Sequence, residues 1–402
     1  MNIIFLTVSR IKEIKSRGIY TDLMRKFRDE GHNVYIVTPY ERQFALPTSL
    51  SEVDGIHLLG VRTLNIQKTN IIEKGIGTIL LETQFNRAIK KYLSHVNFDL
   101  ILYSTPPITF TDVVRNLKKG TSSAISYLLL KDIFPQNAVD LGMFSKNSLI
   151  YWYFRQKEIG LYKHADYIGC MSPANVEYVL KHNRFVNSNK VEVCPNSIEL
   201  KKDNEYLIDR KTLLTKLNIP TNKLLFIYGG NLGRPQGVDF LMDVIEANEA
   251  RDDTYFIIVG NGTEYGRISQ FFEINSPRNS SLLSSLPKEE YDNLVKVCDV
   301  GLIFLDRRFT IPNYPSRLLS YLENGMPVLF ATDLNTDIGR IAETNGYGMW
   351  TESGDLHRFM KLVDNLVSDK DLMKIMGKNA YSYLCANYTV QNSYRIIMKH
   401  FE

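Results

Sequence analysis

Short apolar runs alternate with amphipathic, helix-like stretches along the chain, and the alternation occurs twice. Residues 2–8 form the first apolar run. A polar loop leads to Gly18, and a helix follows with Leu23, Met24 and Phe27 on one face, stopped by Gly31. The next strand covers residues 33–39, and others fall at 56–62, 98–104, 123–130 and 166–171. Residues 199–222 are polar and break the pattern, which restarts at 224–228 and continues at 255–259, 300–305 and 327–332. Strands alternating with helices dictate βαβ units and parallel sheets. The 402 residues suit two domains at roughly 100–200 residues each. The expected fold class is α/β with two doubly wound parallel sheets: a domain over 1–198, a linker over 199–222 and a second domain over 223–388. A terminal helix over 389–402 is expected to pack back on the first domain. Such sheets bind ligands at the carboxyl ends of their strands, so two of them face to face would line one interdomain cleft.

The net charge of +4 conceals a division. Residues 1–200 hold 25 Lys and Arg against 18 Asp and Glu, whereas residues 201–402 hold 23 against 26. Two modules with different partners are implied. No clustered basic run is present, which argues against a nucleic-acid partner. Cys170, Cys194, Cys298 and Cys385 lie far apart with no C-x-x-C pair, so neither a zinc site nor a disulfide framework is indicated, and a reducing cytoplasm is the expected compartment. The opening segment lacks a basic lead-in and a small-residue cleavage site and reads as a buried strand. No run approaches the ~18–20 apolar residues that span a bilayer.

Gly229-Gly230-Asn231-Leu232-Gly233-Arg234-Pro235-Gln236-Gly237 follows an apolar strand and opens a helix. Glycines there let backbone N–H groups approach a phosphate, with Arg234 supplying charge; a ligand-free turn is the alternative. Pro315-Ser316-Arg317 opens a short helix that ends at Gly325, and its first turn is a candidate anion seat. Gly260 and Gly262 lie in another glycine-rich turn after a strand, for which a structural loop is the alternative. Asp132, in Lys131-Asp132-Ile133-Phe134-Pro135, ends an apolar strand and either faces the cleft or caps the next element. Residues 148–163 mix aromatics with bases on a helix, suiting either an anionic membrane surface or core packing. No H-E-x-x-H or G-x-S-x-G occurs.

Several stretches together resemble glycosyltransferase family 4 of the GT-B fold, in the branch that builds capsule and O-antigen units. They are RGIYTDLMRKFRDEGHNVYIVTP (17–39), KDIFPQNAVDLG (131–142), MSPANVEYV (171–179), PNSI (195–198), GGNLGRPQG (229–237) and PSRLLSYLENGMPV (315–328). The resemblance implies two Rossmann-like domains. It also implies a UDP-sugar donor on the second and a lipid-linked saccharide acceptor on the first. The sugar would be an N-acetylated or deoxy hexose. Transfer would be metal-independent, need no cofactor and retain the anomeric configuration, at the cytoplasmic face of the membrane. Peripheral contact with anionic lipid would come through the first domain.

Carried over by position, Asp132 and Arg234 are the catalytic pair. Gly18, Gly230, Asn231, Gly233, Gln236, Gly260, Gly262, Ser316, Arg317, Ser320 and Glu323 are the donor-binding set. This chain departs from the family at several of these positions. Phe134 replaces a Trp, Asn231 and Gln236 occupy common Arg and Lys positions, and the two family glutamates align with Pro312 and Ser320. Glu323, one helical turn on, is the candidate substitute for the ribose-binding carboxylate. An inactive GT-B accessory subunit and a nucleotide-sugar epimerase are the alternative functions.

Overall fold

Strand order, more than strand count, places ligand sites in a parallel sheet. The computed structural model describes residues 1–67, 69, 71–121, 123–201 and 209–402. It divides into two units, residues 1–199 with 389–402, and residues 200–388. In the first unit the strands are β1 (Asn2–Leu6), β2 (Asn33–Glu41), β3 (Ser49–Val53), β4 (Ile56–Thr63), β5 (Leu100–Ser104), β6 (Ile125–Leu130), β7 (Tyr167–Cys170) and β8 (Val191–Val193). They are ordered β3-β4-β2-β1-β5-β6-β7-β8, and every pair is parallel except β3–β4. That exception is a hairpin whose Asp54-Gly55 turn has both residues at positive φ, 51° and 72°, the type I′ geometry that Asp-Gly favours. Central β5 and β1 are almost wholly apolar because helices cover both faces.

The helices used below are α1 (Ile19–Asp29), α2 (Ile71–Tyr92), α3 (Thr111–Gly120), α4 (Gln136–Asp140) and α5 (Leu149–His164). Leu23, Met24 and Phe27 of α1 are all buried in the core with Ile3, Phe5 and Leu102. The helix Val390–Met398 completes that core with Val390 and Ile397, while Tyr394 stacks near Phe27 at 5.1 Å between ring centroids. Val390 N–H donates to the Ile198 carbonyl at 3.1 Å, and the Ser393 and Ser197 hydroxyls bond at 2.8 Å.

Glu192 anchors the chain end. Its carboxylate accepts from Tyr127 Oη at 2.8 Å and from His400 Nε2 at 2.9 Å, and it pairs with Lys399 at 2.5 Å. Burial alone would raise its pKa, but these bonds outweigh it and hold the carboxyl below the usual range. A depressed carboxylate stabilises the fold above its unfolded-state pKa and loses that contribution as pH falls through the folded value. Glu192→Gln is therefore expected to cost about 1 kcal/mol at neutral pH, discounted for partial exposure. In urea melts at several pH values, that gap should close below pH 4.5.

The second sheet comprises β9 (Leu224–Asn231), β10 (Thr254–Asn261), β11 (Ser280–Leu283), β12 (Val300–Phe304), β13 (Val328–Thr332) and β14 (Gly348–Glu352). It is entirely parallel and ordered β11-β10-β9-β12-β13-β14, the doubly wound order whose switch point lies between β9 and β12. The stretch expected to be a linker divides differently. Residues 202–208 lie outside the described residues, whereas 210–219 are built into the second unit. Leu214 and Ile219 are buried there, and Arg210 forks onto Asp299 at 2.8 and 2.9 Å.

Candidate functional site

The loops leaving β9 and β12 meet at the switch point of the second sheet: Asp306 N–H donates to the Pro235 carbonyl at 3.0 Å. A Cβ at Gly237, whose φ is +55°, would lie 2.9 Å from the Leu305 carbonyl oxygen. Between them the chain is held tightly. Gln236 Oε1 accepts from Asn231 Nδ2 at 3.0 Å and from the Gly233 amide at 3.1 Å. Asn231 and Gln236 thus shape this loop through each other. Arg234 stands on it with its side chain 60% exposed, 3.6 Å from Glu264.

Gly260 and Gly262 serve the backbone. Gly260 pairs in register with Gly230, and a Cβ on it would fall 1.8 Å from the Gly230 carbonyl oxygen; one on Gly262 would fall 2.3 Å from that of Leu232. Space left empty by these glycines is filled by the neighbouring strand end, which is the structural-loop alternative for that turn.

Arg317 opens the helix Arg317–Glu323, and its guanidinium lies 4.2 Å from the centroid of the Tyr228 ring. Gly230, at φ +120°, is just clear of it: a Cβ would sit 3.6 Å from Nη2. Arg317 Nη1 is buried with no hydrogen-bond partner, and no carboxylate among the described residues pairs with the group. Beneath it the Tyr321 hydroxyl accepts from Gly229 N–H at 3.2 Å and donates to the Ile227 carbonyl at 3.1 Å. Burial pushes the Tyr291 phenol up to about 12 and that of Tyr321 well above its ordinary value, so neither neutralises the guanidinium. A buried donor left unmade costs about 1–3 kcal/mol, more for a charged group, which makes Arg317 receptive to an anion. Asn313 Nδ2, in the loop before this helix, is likewise buried without a partner. In sequence an Asn between Pro and Tyr carries no distinctive signal for such a role.

Ser316 is exposed at the N-cap, and its side chain makes no capping bond. Ser320 lies one turn in, its carbonyl accepting from Asn324 Nδ2 at 2.7 Å. Glu323 does not stand in for a ribose-binding carboxylate. Its side chain is 6% exposed, lies 3.5 Å from Lys201 Nζ and accepts from the Lys201 amide at 3.2 Å. It ties the start of this unit to the helix instead.

In the first unit, Gly18 precedes α1, and its amide donates to Asp22 Oδ1 at 2.8 Å. Asp22 also takes Arg25 at 2.7 Å and the Glu199 amide at 3.0 Å. The single N–H of Gly18 is therefore committed within the first turn, and what this glycine offers a diphosphate is the space of a missing side chain. Asp132 follows β6 and accepts from Asn137 Nδ2 at 2.8 Å. It caps no helix, because α4 begins after Pro135 without a side-chain cap. Burial raises its carboxyl pKa above the usual range against the opposing bond from Asn137, which makes it a stronger proton acceptor.

Among the described residues no group of three or more His, Cys, Asp or Glu is placed to hold a metal ion, and no helix is long and apolar enough to cross a membrane. The model of the family "Glycosyl transferases group 1" matches residues 209–383. The "Probable glycosyltransferase WbjE" of Pseudomonas aeruginosa is 24% identical over 252 residues, covering 62% of this chain and 61% of that protein. The chain thus spans less than two thirds of that relative's length. Among solved structures, HepE of Anabaena in complex with UDP and glucose has a TM-score of 0.71 at 14% identity, over 100% of this chain and 99% of that one. WaaG, a glycosyltransferase involved in lipopolysaccharide biosynthesis, has a TM-score of 0.67 at 13% identity, over 98% of each chain. Two doubly wound parallel sheets of this order are the GT-B fold of these solved structures, and the second of them carries the match to the group 1 glycosyl transferases.

Proposed function

We propose that the chain transfers a hexosyl group, N-acetylated or deoxy, from a UDP-sugar to a lipid-linked saccharide in polysaccharide biosynthesis. The observation that carries this reading is the guanidinium of Arg317, with no acidic partner among the described residues and Nη1 unmade, beside Gly230 at the switch point of the group 1 domain. Relatives support the chemistry: HepE was solved with UDP and glucose, and WaaG acts in lipopolysaccharide biosynthesis. In the retaining reaction the bond from the anomeric carbon to the β-phosphate oxygen breaks, and its electron pair goes to that oxygen. The acceptor hydroxyl bonds the carbon on the same face, and its proton passes to the departing phosphate. Arg317 and Arg234 stabilise the charge developing on the diphosphate, no metal ion being required, and Asp132 orients the acceptor. Arg234→Ala is expected to slow turnover about 10²-fold with the melting curve unchanged, since the side chain is exposed.

Thermal melts with UDP-, GDP- and dTDP-sugars test the donor. A ligand at about 100 times its Kd adds about 2.7 kcal/mol, or roughly 5–11 °C in Tm for a unit of this size. UDP-sugars are expected to give that shift; a shift confined to GDP- or dTDP-sugars would overturn the UDP assignment. The missing ribose carboxylate, with Ser320 in its place and Glu323 paired to Lys201, favours one second reading: a GT-B subunit that binds donor without turning it over.

The acceptor's lipid implies contact with a membrane. On α5, Leu149 is 86% and Trp152 63% exposed, with Ile150 and Met143 beside them in sequence and also exposed. Ile76, Ile79 and Leu80 are exposed on α2, which Lys157 ties to α5 through Glu82. The bases of α5 contribute less than their number suggests, because Arg155 is paired with Glu158 at 2.6 Å and Lys157 with Glu82. Apolar insertion is therefore the main term. Replacing Leu149 and Trp152 with serine should weaken cosedimentation with anionic vesicles at least tenfold, at about 1.5–3 kcal/mol per apolar side chain.

A further inference from the structure

The carboxyl end of the first sheet holds a second cation that no acid neutralises. Lys131 follows β6, its amide donating to Thr105 Oγ1 at 3.0 Å. Its ammonium reaches past the end of β8 and donates to the Cys194 carbonyl at 3.4 Å, a long bond to a neutral oxygen. No carboxylate among the described residues pairs with it. Burial pushes the ammonium down to about 8. The groups whose charge bears on it are the thiols of Cys194 and Cys170, both held protonated by burial. Two amide oxygens, one in the loop after β8 and one on α4, are buried without a donor. Asn196 Oδ1 lies two residues beyond Cys194, and Asn137 Oδ1 belongs to the side chain whose nitrogen is spent on Asp132.

Packing alone does not account for this set. A half-buried ammonium with no acidic partner is costly, and a methionine would fill the same space without that cost. A cation lacking an anion, at the same end of the sheet as segments whose amide oxygens lack donors, is the complement of a ligand that carries both anionic oxygens and hydroxyls.

We propose that Lys131 seats an anionic group, phosphate or carboxylate, on the sugar acceptor bound by the first unit. Calling that ligand the acceptor rests on the transferase reading; the site itself does not. The lysine would select phosphorylated or acidic saccharides over neutral ones, and Asn196 and Asn137 would take hydroxyl protons from the same molecule.

The test is isothermal titration of the full chain with N-acetylglucosamine 1-phosphate and with methyl N-acetylglucosaminide, repeated on Lys131→Met, Lys131→Gln, Lys131→Arg and Arg317→Met. The phosphate is expected to bind the wild type at least tenfold more tightly than the methyl glycoside. Lys131→Met and Lys131→Gln should erase that preference, and Lys131→Arg should keep it. Equal binding of the two sugars, no binding of the phosphate, or a preference lost in Arg317→Met but kept without Lys131 would overturn the proposal. A chain that shows the expected pattern yet releases no UDP from any donor keeps this site and refutes the transferase reading.

Discussion

Replacing Arg317 with methionine is expected to slow UDP release about 10²–10³-fold while leaving the protein as stable as before, or slightly more so. The rate effect follows from removing one preorganised charge that faces the leaving diphosphate. The stability effect has the opposite sign from that of an ordinary buried arginine. Breaking a satisfied ion pair strands its partner and costs about 3–5 kcal/mol. Arg317 has no acidic partner among the described residues and leaves Nη1 unmade, so its removal strands nothing. What is lost is the contact with the Tyr228 ring, worth about 0.5–2 kcal/mol, against the relieved cost of the unmade donor at about 1–3 kcal/mol. A melting curve and an initial-rate assay on the same variant separate the roles. A large fall in Tm would make Arg317 a structural residue.

Gly260→Ala should do the reverse, lowering Tm steeply. The added methyl would lie 1.8 Å from the Gly230 carbonyl oxygen at φ +157°, and the obstacle is backbone in a paired strand, so no side chain can swing aside. A loss of about 3 kcal/mol or more is expected. For a unit of this size that is a fall of roughly 6–12 °C. Gly266→Ala is the matched control. That glycine lies in the helix Tyr265–Asn275 with nothing within 4 Å of its Cβ position, and alanine there should add about 0.5–1 kcal/mol. Scanning calorimetry of the two variants decides whether the glycine turn after β10 is held open for backbone or for ligand.

These two residues mark how far the sequence could be read. Long, uniformly apolar strands such as β5, β12 and β13 announce themselves, because a strand buried on both faces has no polar positions. The strands at or near the sheet edges did not. Val191–Val193, Ser280–Leu283 and Gly348–Glu352 are three to five residues long and mix polar with apolar side chains, as half-covered strands do. The β3–β4 hairpin does carry a local signal, Asp54-Gly55 between apolar flanks.

At the site, residue types were visible but their commitments were not. Nothing local shows that Glu323 is held by Lys201, 122 positions away in the chain. The Gly18 amide is spent on Asp22 within the same turn, which a helix-start pattern does not distinguish from an open N-terminus. Tyr228 could be read as a strand residue, yet its place under Arg317 depends on how β9 meets a helix nearly 90 residues later. Lys131 is indistinguishable in sequence from any isolated lysine, and only its surroundings show that it lacks an acid.

Transfer itself is tested by following UDP release from UDP-N-acetylglucosamine and other UDP-hexoses, with and without a lipid-diphosphate-linked saccharide, while mass spectrometry monitors the acceptor. Expected is stoichiometric UDP and an acceptor heavier by one hexosyl residue, with release suppressed about 10²–10³-fold in Arg317→Met. No UDP from any donor, under conditions where UDP raises the melting temperature, would contradict a transferase and leave a nucleotide-binding subunit in its place.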